Sequence, residues 1–156
     1  LQEGGETVTI WNLSSRWVKT VDLGFKDPSF MRWSKKDGQL AIGTCTGNLL
    51  LYNLDSRKKI PVIGKHTSIV LCGDWSSKNN VLALGSDDKS MTFSSASGET
   101  LSQTQFSVAP TSVQLERSAL VCRVRLSHEP FRLVRVSEQQ VTSSVLQVQG
   151  VHSTWC

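Results

Sequence analysis

Helical periodicity is missing from this sequence. So is any apolar run near the roughly 18–20 residues that carry a helix across a membrane. The first absence argues against an α-helical domain; the second excludes a helical integral membrane segment. Cysteine is sparse: Cys45, Cys72, Cys122 and Cys156 include no Cys-x-x-Cys pair. A disulfide framework needs a short, cysteine-dense chain, and a zinc site needs closely paired ligands. The thiols read as reduced, buried or incidental, in a cytosolic setting. Charge of one sign is lacking too. Lys and Arg number 17 against 13 Asp and Glu, a net charge of +4, with no dense basic stripe of the kind nucleic-acid binders carry. At 38% hydrophobic the chain is still too apolar to be disordered throughout. No initiator methionine and no charged-then-apolar leader opens it. Its first dozen residues read like the interior of something longer, so a fragment with a missing N-terminus is expected.

What the sequence does have is self-similarity. An offset of 42 places Trp33 on Trp75, Ser34 on Ser76, Lys36 on Lys78, Leu40 on Leu82, Ala41 on Ala83 and Gly43 on Gly85. An earlier half-copy, residues 8–15, matches residues 49–56. A period of about 40–45 residues is that of a four-stranded propeller blade. Val8 and Ile10 alternate with polar neighbours, as on a half-buried strand. Asp37-Gly38 and Asn79-Asn80 fall at equivalent points between apolar segments, and Thr46-Gly47 and Asp88-Lys89 mark the next turn in each copy. Pro28 and Pro61 fall between blades, where they interrupt no central strand. The pattern predicts strands at residues 7–12, 17–23, 29–34, 39–44, 48–53, 58–63, 69–75, 80–86, 90–94 and 99–105. The fold class is therefore all-β, a propeller fragment of about two and a half blades. They run near residues 1–24, 25–64 and 65–106, in a ring that does not close. Open strand edges invite pairing with other chains, and poor stability in isolation is expected.

A His before a first strand, an Asp in the turn between second and third strands, and a Trp-Asp pair closing the third are the marks of a WD-type blade. They join in a buried hydrogen-bond network, tolerated because every member is satisfied. The second full copy supplies His66, Ser86 and Asp88 and has Ser94-Ser95 for the Trp-Asp pair; the first has Tyr52-Asn53 there and the half-copy Trp11-Asn12. His66, Ser86, Asp88, Trp11, Tyr52, Trp33 and Trp75 are read as blade architecture. His66, Asp88 and Ser86 do not make a catalytic triad, which is defined by geometry rather than by residue types. Residues 43–47 lack the ending of a phosphate loop. Asp87-Asp88 lacks the further ligands of a calcium loop, and His128 and His152 have no ligand partners nearby. No catalytic, metal-binding or cofactor-binding residue is assigned. Arg57, Lys58, Lys59 and Lys65 cluster around Pro61. The cluster suits acidic protein surfaces or anionic lipid headgroups, but the preferred reading is a solvated loop whose lysines guard an edge.

Residues 47–67, with 72–75, 79–92 and 98–105, closely resemble the large WD-repeat subunit family of intraflagellar transport complex A, and residues 29–43 fit its preceding blade. The likeness covers residues 8–105. It implies N-terminal propellers followed by a long helical-repeat region, in a non-enzymatic scaffold for retrograde ciliary transport, cilium assembly and ciliary entry of membrane receptors. The implied partners are the other complex A subunits and a tubby-type adaptor, in the cytoplasm, the cilium and the ciliary base, with no cofactor, nucleic acid or small-molecule substrate. The alternative is a generic WD40 scaffold of a vesicle coat or an RNA-processing particle. A propeller hydrolase would need carboxylates or histidines gathered at a channel mouth, and the sequence offers no such cluster.

Beyond residue 105 the likeness stops. Residues 107–156 hold five Arg but no Lys and no Asp, and no Gly before Gly150. Strands are predicted near 118–126 and 131–148, without the turn residues a hairpin needs. A splice extension, a translated intron or shifted frame, and a divergent blade are the three readings, the first two together preferred. The segment is expected to be disordered or aggregation-prone.

Overall fold

A computed structural model of the chain describes residues 5–115, 121–127, 132–135 and 145–146. The half-copy becomes a two-stranded sheet of β1 (Thr7–Asn12) and β2 (Trp17–Asp22). The first full copy folds into β3 (Pro28–Trp33), β4 (Gln39–Thr44), β5 (Leu49–Asn53) and β6 (Lys59–Val62), paired antiparallel in that order. The second gives β7 (Val70–Trp75), β8 (Leu82–Ser86), β9 (Ser90–Ser94) and β10 (Thr100–Gln105), again in order. Turn chemistry sets the strand ends. In each predicted turn pair the second residue takes a positive φ: Gly38 and Asn80, then Gly47 and Lys89. Pro28 opens β3 and Pro61 sits in the outermost strand β6, both places where a missing N–H costs little.

Packing explains why the central strands read as unbroken apolar runs. Leu40, Ile42, Leu50 and Tyr52 face the half-blade and close a core with Val8, Ile10, Val21 and Leu23. Their neighbours Ala41, Leu49 and Leu51 point the other way, onto Val70, Trp75, Leu82 and Leu84 of the second blade. Ala83, Met91 and Phe93 serve a third core beyond it. Alternate residues of one strand thus feed two cores, so both faces must be apolar.

That third core is closed by a further antiparallel sheet, β11 (Pro110–Leu115), β12 (Val121–Leu126), β13 (Arg132–Arg135) and β14 (Val145–Leu146). Val113, Leu115, Cys122, Val124, Leu126 and Val134 are buried in it with Cys72, Ala83, Met91 and Phe93. The arc therefore carries one more four-stranded sheet than the repeat pattern marked. It is built like the other two. The inner strands β3, β7 and β11 share a register shift at the same place, at Pro28/Phe30, Val70/Cys72 and Pro110/Ser112. A Cβ on Gly43 would lie 2.6 Å from that of Val70, and one on Gly85 would lie 2.8 Å from the Pro110 ring. Pro110 thus seats on the second blade as Val70 seats on the first. The repeat is hard to see because its markers are replaced. Leu115 stands where Trp33 and Trp75 do, and Arg125 pairs with Ser112 where Gly43 pairs with Phe30 and Gly85 with Cys72. Of the strands predicted near 118–126 and 131–148, β12, β13 and β14 are described. Residues 116–120 and 136–144, His128, His152 and Cys156 lie outside the described residues.

Candidate functional site

The polar frame of the second blade is the most developed cluster of titratable side chains in the described residues. His66 sits in the loop ahead of β7, buried, with Nδ1 3.0 Å from Asp88 Oδ2 and 3.1 Å from Ser90 Oγ, and Nε2 3.0 Å from Thr92 Oγ1. A carboxylate only accepts, so the proton belongs on Nδ1 and Nε2 accepts from the Thr92 hydroxyl. Asp88 Oδ1 accepts from the Ser90 hydroxyl at 2.6 Å and the Ser90 amide at 2.9 Å, while Oδ2 also accepts from the Thr67 amide at 3.0 Å. Burial lowers the His66 pKa below its ordinary 6.5, against the opposing pull of Asp88. Burial alone would raise the Asp88 carboxyl; the Ser90 hydroxyl, the amides of Thr67 and Ser90, and its pairing with His66 outweigh it and hold it at about 2. Ser86 stands beside this chain of bonds: its hydroxyl donates to Ser68 O at 3.0 Å and accepts from the Asp88 amide at 3.2 Å. Ser90 and Thr92 were not singled out in the sequence, although two hydroxyls alternating behind Asp88 on a predicted strand are the available signal. The network ends at Thr92. Ser94, in the place of the Trp, has a buried hydroxyl with no partner, and so does Tyr52 in the first blade.

The bonds from His66 and Thr67 to Asp88, Ser90 and Thr92 join two segments of one blade, so the chemistry of the frame is that of a clasp. Acid should loosen it. The unfolded chain binds protons at His66 below about pH 6.5 and at Asp88 below about pH 4, where the folded chain does not, so stability falls with pH in both windows. The thermal midpoint of the chain is expected to drop between pH 7 and pH 5 and again below pH 4. A scan of midpoint against pH by circular dichroism checks this.

A second cluster ties blades together. Asp74, 2% exposed, lies on β7. It pairs with Arg32 Nε at 3.2 Å and Lys35 Nζ at 3.5 Å on the first blade, and accepts from the Leu115 amide at 3.1 Å on the third. Next to it, Trp75 is fully buried and donates its indole N–H to Arg32 O at 3.1 Å. Trp33, at the equivalent register position, is 40% exposed, and Trp11 68%. Sequence reasoning missed Asp74; a carboxylate in an otherwise buried strand is the signal that marks it.

The predicted basic cluster is only partly assembled. Arg57, Lys58 and Lys59 are exposed, Lys59 reaching the Asp22 carbonyl. Lys65 must be removed from it. Its ammonium is turned into the blade, 3.1 Å from Gly98 O and 2.6 Å from Thr100 Oγ1, and burial pushes its pKa down to about 8. Cys45 is exposed, whereas Cys72 and Cys122 are buried free thiols, Cys72 pushed up to about 12 by burial.

The comparisons with known proteins agree with this architecture. The family described as WDR19 first beta-propeller matches residues 1–139, past the end of the visible repeat. The chain belongs to this family. WD repeat-containing protein 19 of Homo sapiens is 41% identical over 115 residues, covering 73% of this chain and 8% of that protein. WD repeat-containing protein dyf-2 of Caenorhabditis elegans is 30% identical over 111 residues, 69% of this chain and 8% of that one. The chain thus spans less than a tenth of the length of these relatives. Among solved structures, a chain of the mitotic checkpoint complex superposes with a TM-score of 0.71 at 17% identity, covering 89% of this chain and 45% of that one. At that identity the likeness speaks for the fold alone. The fold is a WD40-type propeller arc whose sheets do not close into a ring, and no described helix is long and apolar enough to cross a membrane.

Proposed function

We propose that the chain is part of a non-enzymatic interaction scaffold, the WD-repeat subunit of intraflagellar transport complex A. In this reading it supports retrograde ciliary transport, cilium assembly and the ciliary entry of membrane receptors. The observation that carries the reading is the family match over residues 1–139, joined to the resemblance of residues 47–67. The partners are the other complex A subunits and a tubby-type adaptor. The site of action is the cytoplasm, the cilium and the ciliary base, with no cofactor, nucleic acid or small-molecule substrate. The polar clusters support a scaffold rather than a catalyst: the His66–Asp88 frame is satisfied internally, and Asp74 is taken up by Arg32, Lys35 and the Leu115 amide. Arg57, Lys58 and Lys59 remain a candidate contact for an acidic partner surface.

Affinity purification of the endogenously tagged protein, followed by mass spectrometry, tests this. Complex A subunits are expected in the eluate. An eluate dominated by a vesicle coat or an RNA-processing particle would overturn the ciliary reading and leave a WD40 scaffold of another assembly.

A further inference from the structure

The outer turns of the half-blade and the first blade are built alike. In the β1–β2 turn, Asn12 Oδ1 accepts from the Ser14 and Ser15 amides at 3.0 and 2.9 Å; in the β5–β6 turn, Asn53 Oδ1 accepts from the Ser56 amide at 2.8 Å. Each turn then reaches its outer strand through an arginine in the left-handed region, Arg16 at φ 52 and Arg57 at φ 57. That conformation favours glycine over any residue with a Cβ. The β9–β10 turn has Gly98 there, at φ 88. The fold accepts a glycine at this position, yet two neighbouring blades hold an exposed arginine. Strain kept where an easier residue would serve points to function.

Between the two turns lies a cleft of about 730 Å³, lined by Trp17 and Lys19 of β2 and by Leu54, Asp55 and Arg57 of the β5–β6 turn. Both walls are complete hairpins of the chain. Trp17 and Leu54 pack on the core between the half-blade and the first blade and give the cleft an apolar floor. Its surroundings are cationic. Lys19 Nζ stands 5.3 Å from the centre of the Tyr52 ring. Lys59 is the strand partner of Tyr52 and reaches over to the Asp22 carbonyl of β2. Arg16 and Lys58 complete a group of five cations, and one carboxylate, Asp55, lines the cleft. None of the five is in an ion pair among the described residues, whereas Lys26 has Glu6, and Arg32 and Lys35 have Asp74.

We propose that this cleft is a docking groove for an acidic peptide segment of a partner protein. Carboxylates of the segment meet Arg16 and Arg57 on the two lips, and an apolar side chain between them rests on Trp17 and Leu54. Charge complementarity selects the occupant: unneutralised cations around an apolar floor call for acidic and apolar groups along one chain. A bilayer takes up protruding apolar groups; on these two turns only Leu13 protrudes, and Trp17 and Leu54 are recessed between the cations. The inference deepens the scaffold reading and rests on it, without needing the ciliary assignment.

Fluorescence anisotropy with a short labelled peptide, glutamates around a central leucine and phenylalanine, is expected to show saturable binding to the full chain that weakens with added salt. The same peptide with glutamine for every glutamate is expected not to bind. Arg16→Gly and Arg57→Gly are each expected to weaken binding about fivefold, and together about 25-fold, one exposed ion pair per arginine. Their thermal midpoints should stay close to the parent's, because glycine suits the left-handed turn, so lost binding is not lost fold. Lys78→Gln removes one exposed cation from the β7–β8 turn, outside the cleft, and is expected to leave binding unchanged. Equal binding of the glutamine peptide, an equal loss in Lys78→Gln, or binding untouched by both arginine variants overturns the proposal. So does a chain that ignores the acidic peptide but sediments with phosphatidylserine vesicles, since the cations would then serve a lipid surface. The scaffold reading fails separately, in the affinity purification: partner subunits in the eluate together with no peptide binding sink the groove alone.

Discussion

Trp75→Ala is expected to cost about 3–5 kcal/mol, the range for truncating a fully buried aromatic side chain. Trp75 is 0% exposed and packs between the first and second blades against Ala41, Leu49, Leu51, Leu82 and Leu84. Two further losses add to the cavity. The Arg32 carbonyl loses the indole N–H that crosses between inner strands at 3.1 Å. Asp74, one residue earlier, is held by Arg32 and Lys35 of the first blade and loses the wall that fixes their approach. In urea, with a slope near 2 kcal/mol per molar, a 4 kcal/mol loss moves the midpoint by about 2 M. Trp33→Ala is the internal control. It removes the same side chain from the equivalent register position, but 40% of that side chain is already in water, and a loss of about 1–2 kcal/mol is expected. Trp75→Phe separates the terms: it keeps most of the volume and drops the N–H. Equal costs at the two tryptophans would mean that the junction of the first and second blades carries no more of the stability than the open end.

Much of this arc is legible in the sequence because period and turn chemistry reinforce each other. Ten strands are marked by the 42-residue offset and by turn pairs whose second residue takes positive φ, Gly38 and Asn80 among them. His66 and Asp88 are legible for the same reason, since their spacing from the turns is fixed by the blade. The last sheet is not legible by that route. A blade packed on both faces shows a doubly apolar central strand, as β8 does, whereas β12 interleaves Arg123 and Arg125 with its buried residues and so matches no internal copy. Lys65 illustrates a different limit. Its neighbours in sequence make it look like part of a basic surface, yet what decides its direction is the Gly98–Thr100 turn about 33–35 residues away. Asp74 is the same kind of case, because its partners come from the two neighbouring blades. Local pattern gives faces and turns; it does not give which cation reaches which carbonyl across a blade junction.

Gly47→Ala is expected to cost more than about 3 kcal/mol, although it adds a single methyl group. Two separate penalties meet there. Gly47 ends the turn between β4 and β5 with φ +81, a left-handed conformation that costs a residue with a Cβ about 1–2 kcal/mol. The methyl would also lie 2.2 Å from the His66 carbonyl oxygen and 2.6 Å from its carbon. These are backbone atoms, so no rotamer change relieves the contact. The His66 loop would have to move by about an ångström, and it is tied down from both sides. The His66 amide donates to Gly47 O at 2.9 Å, and its ring is clamped by Asp88, Ser90 and Thr92. Gly24→Ala isolates the first penalty, for Gly24 has φ +68 with nothing within 4 Å of the added methyl. A loss near 1 kcal/mol is expected there, and the difference between the two variants measures the clash. In Gly47→Ala the thermal midpoint should also lose part of its dependence on pH between 7 and 5, because a displaced His66 no longer resists protonation. A pH scan of both variants separates a strained turn, which leaves that slope intact, from a broken junction between blades, which flattens it.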